Sequence, residues 1–341
     1  MHKKALNIKH SQNIKLSFLF TLVALYLLFN ATPVAAQELS LAIDQPIITI
    51  KAIPPTIIAI PLSIQNKGDT QVTLQIQLKP FEAKGENGEL EYTSKTLEIF
   101  ENTQILDADL PVESITLNPK QQKKLNLNIN VLQDTSTSDY YFSVIFTSTD
   151  SYPVKSNSSI NQVGIAANVL LSVGSLEIPK TALEEFSSNI FLEKGPVPFT
   201  IRVKNAGIHF IEPKGEITIK NMFGQFIGKL DLTNVNILSS SIRAIPNDVY
   251  MQELRLKANL DAKTKNPYDF EHPIALWKEN FLLGLYTATL NISMSDEGPI
   301  FTKTIRFFAF PFKILIVIII IAIIVIVVNN RLKLYMNKNR T

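Results

Sequence analysis

The chain has 341 residues, with 33 Lys and Arg against 30 Asp and Glu, four histidines and no cysteine. It therefore has no thiol nucleophile, thiolate metal site, disulfide framework or lipid-bearing cysteine, and it must rely on its core for stability, as a bacterial surface protein would. Nine of the bases lie in the two ends, which hold no acid, so the body between them sets 24 bases against 30 acids; that net charge of −6 argues against nucleic acid and against electrostatic docking on an anionic membrane.

Residues 1–36 read as a secretory signal. Lys3, Lys4, Lys9 and Lys15 precede the apolar run Leu16–Phe29, and Val34 and Ala36 occupy the small-residue positions of a cleavage site. A retained N-terminal anchor is the alternative, although the run is short for a span.

Residues 37–173 read as one antiparallel β-sandwich. Val72, Leu74, Ile76 and Leu78 alternate with polar residues, as do Leu125, Leu127, Ile129 and Val131. A period of two puts one strand face in a core and the other in water. Many such strands without intervening helices predict an all-β, Ig-like fold. Asn66-Lys67-Gly68 ends one alternating run and starts the next, and Asn and Gly both tolerate the positive φ that reverses a chain. The stretch Lys79–Glu113 follows, with nine acids against three lysines. Within it, Gly85–Tyr92 predicts a tight hairpin with Asn87-Gly88 at its tip. Glu86, Glu89, Glu91 and Tyr92 are the candidate partner-binding residues there, against the alternative of a solvated hairpin. Tyr140 heads the run Phe142, Val144, Phe146, a placement that fits a tyrosine corner, whose hydroxyl bonds the backbone just upstream.

Residues 174–308 repeat the plan. Phe199, Ile201 and Val203 alternate up to Asn205-Ala206-Gly207, and Tyr286 heads Ala288, Leu290 and Ile292. His209, among apolar neighbours, reads as a packed histidine incidental to a scaffold turn. His272 lies near Asp269 and Glu271, but no second ligand cluster accompanies it, and no metal site is expected. The connection Asp261–Gly284 carries Tyr268, Phe270, Phe281 and the only tryptophan, Trp277. Trp277 either anchors a partner or caps the sandwich. No Gly-rich phosphate loop, nucleophile elbow or paired catalytic carboxylates stand out, so no cofactor and no enzymatic activity are expected.

Residues 309–328 are apolar throughout except for Lys313, long enough to cross a bilayer, and residues 329–341 form a basic tail. Positive charge stays on the cytoplasmic side, so the body is expected outside the cell and the tail inside. No sorting pentapeptide precedes the run, so the span is expected to remain in the membrane.

This layout resembles the WxL-interacting family of Gram-positive bacteria. The resemblance rests on Asn66-x-Gly68 with its following strand, on Asn87–Tyr92 (NGELEY) and on Val203–Gly207 (VKNAG). It departs at Pro54-Pro55, where the family shows Pro-Gly, and at the strand YYFSVIFTS, where the family is glycine-rich. The resemblance implies a non-catalytic, membrane-anchored protein whose first domain meets peptidoglycan or another cell-surface protein. A structural stalk is the alternative, and a wall hydrolase a more remote one.

Overall fold

The computed structural model describes residues 40–149, 152–153, 160–161, 164–175, 178–252, 272–295 and 298–338. The proposed signal segment, Tyr268, Phe270 and the last tail residues lie outside the described residues.

The first half of the chain forms β1 (Leu41–Ile43), β2 (Ile47–Ala52), β3 (Thr56–Asn66), β4 (Val72–Lys84), β5 (Glu89–Tyr92), β6 (Thr103–Asp107), β7 (Leu110–Pro111), β8 (Ser114–Leu117), β9 (Gln122–Val131), β10 (Ser138–Ser148), β11 (Tyr152–Pro153), β12 (Ile160–Asn161) and β13 (Gly164–Val173). Two sheets face each other, with strand orders β1-β3-β9-β6-β7 and β2-β13-β10-β4-β5; β8 pairs with β4. The alternating apolar residues meet between them: Leu62, Leu74, Leu127, Phe142 and Phe146 are fully buried.

The second half forms β14 (Thr181–Ser188), β15 (Phe191–Leu192), β16 (Val197–Asn205), β17 (Lys214–Asn221), β18 (Phe226–Asp231), β19 (Ile242–Ala244), β20 (Ala275–Trp277), β21 (Gly284–Ser293) and β22 (Ile300–Ala309). One sheet is ordered β14-β16-β19, with β20 also on β16; the other is β15-β22-β21-β17-β18. Phe186, Phe199, Ile217, Leu290 and Phe307 fill the space between them. Two residues after β22, a helix runs from Phe312 to Lys338. Its stretch Phe312–Arg331 is long and apolar enough to cross a membrane, and none of it is buried against the body.

The two Asn-x-Gly triplets do share one job, but not the expected one. β3 and β4 belong to opposite sheets, as do β16 and β17, so each triplet carries the chain across its sandwich instead of folding it back beside itself. Neither Gly68 nor Gly207 takes a positive φ. The asparagine holds the turn instead. Fully buried Asn66 accepts from the Gly68 N–H at 2.9 Å and donates to the carbonyls of Thr70 at 2.7 Å and Asn118 at 3.1 Å. Fully buried Asn205 accepts from Gly207 at 2.9 Å and donates to His209 at 2.8 Å and Ile237 at 3.1 Å. A side-chain amide supplies both a donor and an acceptor, so it can satisfy turn backbone that the sandwich hides from water.

The tyrosines also repeat. The Tyr140 hydroxyl donates to the Glu98 carboxylate and lies 3.1 Å from the Ser136 carbonyl, and the Tyr286 hydroxyl accepts from the Leu283 N–H at 2.9 Å. Each ring is buried at the head of its strand while its hydroxyl ties the preceding loop.

Candidate functional site

Four of the five candidate residues sit on one hairpin, and that hairpin leans on the second domain. β4 and β5 pair from Phe81↔Tyr92 to Lys84↔Glu89. Gly85 and Gly88 take positive φ at the turn, the conformation that glycine admits without strain. The tip reaches β16 and β19. Glu86 accepts from Arg202 Nε at 2.6 Å and from a second guanidinium nitrogen, and its backbone carbonyl accepts from the Ala244 N–H at 2.9 Å. The Arg202 hydrogen bond holds the Glu86 carboxyl below its ordinary pKa. Glu86 is therefore part of a joint between the domains. Gly88 lies against Arg243, where a Cβ would stand 2.3 Å from a guanidinium nitrogen. Burial lowers the pKa of that guanidinium.

Glu89 and Glu91 stay exposed. Glu91 stands opposite Glu82, a like-charge pairing relieved by Lys95 on Glu82 at 2.5 Å and Lys84 near Glu91 at 4.0 Å. Tyr92 lies under the Lys79 ammonium, 5.1 Å from its ring centroid, and its hydroxyl donates to Ser143 at 3.3 Å. Trp277 stands on another strand. It is half-buried on β20, packs on Gly228 and meets the Tyr286 ring edge-on at 6.1 Å. These contacts are those of the capping alternative.

Beside the hairpin, the outer face of β10 and β13 is roofed by the second domain. Phe81, Leu170, Phe210 and Leu238 form a buried cluster, with Tyr141 and Leu90 packed against it. Asp139, its side chain 2% exposed, accepts from His209 Nδ1 at 2.7 Å, the Phe210 N–H at 2.5 Å and the Tyr141 hydroxyl at 2.5 Å. Burial and the Asp139 charge push the Tyr141 pKa up. His209 is thus not an incidental scaffold residue; it links the domains. Asp139, Tyr141, Arg202 and Arg243 were missed in the sequence. The available signal was the doublet Tyr140-Tyr141, which places an aromatic on each face of one strand and so marks β10 as buried on both sides.

The other site is a sheet edge. β3 pairs with β9 along its whole length, but β1 covers its other side only at Ile64–Asn66. The Ser63 carbonyl accepts from the Asp44 N–H at 3.1 Å on that outer side. By the two-residue period, Pro61, Ala59 and Ile57 turn their backbone groups the same way, where no described strand meets them. Pro61 has no N–H to lose there, which is why an edge tolerates it. The outward Ile57 is 70% exposed, while Ile58 and Ile60 are half-buried against the core. The segment Thr56–Leu62 carries no charge.

No family model matches the chain, and no curated protein does. Among solved structures it is similar to the class 5 fimbriae chaperone CfaA, with 12% identity and a TM-score of 0.37 over 78% of this chain and 98% of that one. It is also similar to the Salmonella enterica SafA pilin–SafB chaperone complex (10%, TM-score 0.36, 80% and 99%) and to the Pseudomonas aeruginosa CupB2 chaperone (9%, TM-score 0.33, 78% and 100%). At that distance the likeness says nothing about what this chain binds.

Proposed function

We propose that this protein is a non-catalytic, membrane-anchored binding protein of the bacterial surface that captures an extended segment of another surface protein by strand addition on β3. The open apolar edge Thr56–Leu62 carries this reading. A strand added there gains main-chain hydrogen bonds from Ile57 and Ala59, and its side chains meet Ile57 on one face and Ile58 and Ile60 on the other. The exposed helix Phe312–Arg331 supplies the anchor, with the body outside and the basic tail inside. The resemblance to the WxL-interacting family adds the partner class: a wall-associated protein, or peptidoglycan beside it. Glu89 and Glu91 offer a second, acidic contact on the same domain.

The test uses the full-length chain in detergent micelles, offered to WxL-module proteins and to purified peptidoglycan. Ala59→Pro removes one edge donor without touching the β9 ladder. Capture should fall about fivefold to tenfold, the worth of one hydrogen bond, with an unchanged melting temperature. Equal capture by Ala59→Pro would sink the edge reading. Glu89→Lys with Glu91→Lys, which leaves Glu86 in the joint, separates an acidic contact from strand addition. The stalk reading is favoured by the buried joint, which stiffens the body. Self-association without capture of either probe would support it.

A further inference from the structure

The body net charge argues against a membrane-binding surface, yet one end of the second domain is built like one. β22 passes into the helix through Phe310 and Pro311 alone. The strip Ile190–Glu193 clamps this passage. The Ile190 carbonyl accepts from the Phe308 N–H at 2.8 Å, and the Leu192 carbonyl from the Phe310 N–H at 2.9 Å. Phe191 lies 6.0 Å from the Phe308 ring and 6.4 Å from the Phe312 ring. Lys313, in the first helical turn, bonds Glu193 at 2.6 Å. The base of the domain is therefore held at the level where the helix begins.

That base is apolar and uncovered. Phe308 pairs with Leu285 on the outward face, and Met222 folds over the neighbouring Gly284. Ile190 is 82% exposed, Phe223 78%, Met222 54%, Phe191 52%, and Leu285 and Phe308 41% each. Such residues in one exposed patch mark an interaction surface. One step up the same face, two residues and about 7 Å along the strands, stand Arg306, Thr287 and Lys220 in register. A further step brings Thr304, Thr289 and Thr218. Apolar side chains, then cations, then hydroxyls is the order met on rising from the acyl boundary through the phosphates into water.

The geometry points to a second membrane contact: the collar of Phe191, Met222, Phe223, Leu285 and Phe308 rests in the outer-leaflet interface, with Arg306 and Lys220 on lipid phosphates. This rests on the helix being a span. The occupant is the bilayer and not a soluble partner, because the helix that emerges beside the collar is itself an apolar segment of bilayer length. The contact would hold the second domain against the lipid surface, so that the body does not swing freely about its single anchor.

Because the chain has no cysteine, single cysteines can be placed and spin-labelled without background. The full-length protein is reconstituted into vesicles of phosphatidylcholine and phosphatidylglycerol. Labels go at Ile320→Cys in the helix, Phe191→Cys and Phe223→Cys in the collar, Thr304→Cys above it and Lys123→Cys in the first domain. Collisional relaxation by oxygen, which partitions into lipid, is compared with that by a water-soluble nickel complex. The collar labels should favour oxygen severalfold over Lys123→Cys and lie between Ile320→Cys and Thr304→Cys. A deep Ile320→Cys with water-like collar labels overturns the collar but leaves the span standing. A water-like Ile320→Cys overturns both. Collar labels shielded from both relaxants and dipolar-coupled to each other would give the face to a second copy, and also overturn it.

Discussion

The two sandwiches repeat each other where they are scaffold and part company at their edges. Both cross from sheet to sheet through a buried asparagine, and both head a core strand with a loop-tying tyrosine. In the second domain two of the edges are guarded. β14 carries a register shift between Leu183 and Glu185, and β22 sets Lys303 on the inward parity of Phe301 and Ile305. A bulge and an inward-pointing charge are two ways of spoiling an edge for a further strand. In the first domain β3 has neither. Repetition thus locates the structural parts, and the unguarded edge is where a partner has room.

The largest expected effect tests how far the domains can be compared at all. Asp139→Ala takes the acceptor from the buried Tyr141 hydroxyl and the Phe210 N–H and leaves His209 Nδ1 with the Ser172 hydroxyl alone, and should cost roughly 3 kcal/mol. Trp277 fluorescence reports the second domain, whereas far-ultraviolet circular dichroism reports both. The two signals should coincide in urea for the wild type and separate in Asp139→Ala. Separated signals in the wild type would mean that the joint does not couple the domains. Next come Asn66→Ala and Asn205→Ala, each leaving several turn groups unsatisfied at about 2–3 kcal/mol. In the Asp139→Ala background only Asn205→Ala should move the Trp277 transition. If substituting Gly68 or Gly207 by alanine cost as much as losing the asparagine, the turn would rest on glycine after all.

The fold was legible because burial on one strand face leaves a period of two, and Val72–Leu78 and Leu125–Val131 show it plainly. The tyrosine corners were legible because they sit at the head of that pattern. The joint was not. Asp139, Tyr141 and His209 come together from positions whose neighbours in sequence, the doublet Tyr140-Tyr141 apart, give no sign of a second domain overhead. Glu86 and Glu91 look alike in the sequence, and only the placement of Arg202 separates a linking carboxylate from an exposed one. The turns were misread for a related reason. Asn-x-Gly suggests positive φ, but buried turn backbone asks for a donor and an acceptor, which asparagine has and glycine lacks. The β3 edge was invisible because pairing is a property of neighbours, not of the strand's own residues.

The edge comparison itself predicts a smaller effect, read in binding and not in folding. Ala59→Pro should weaken capture by about 1 kcal/mol. Thr304→Pro on the β22 edge should leave capture unchanged, since that edge is guarded. Amide exchange gives an independent reading. Ile57 and Ala59 should exchange fast in the free chain and become protected with partner bound. Protection at β22 instead would move the site to the second domain.

The smallest effect concerns pH at the joint. Glu86 has its carboxyl pKa lowered by the Arg202 hydrogen bond. A depressed carboxylate stabilises the folded state above its unfolded pKa, near 4.5, and loses that contribution as pH falls through the lower folded value. The Glu86–Arg202 link should therefore be intact at neutral pH and weaken only below about pH 4.5. Both side chains are about a third exposed, so solvent screens the pair and its worth is of order 1 kcal/mol or less. Glu86→Gln should reduce the joint's stability by that amount at pH 7 and by almost nothing at pH 3. The two-signal unfolding experiment reads it as a slight parting of the Trp277 and circular-dichroism curves in wild type at low pH. Glu89→Gln, exposed on the same hairpin, is the control; if it gave the same change, the effect would belong to the hairpin's overall acidity and not to the link with Arg202.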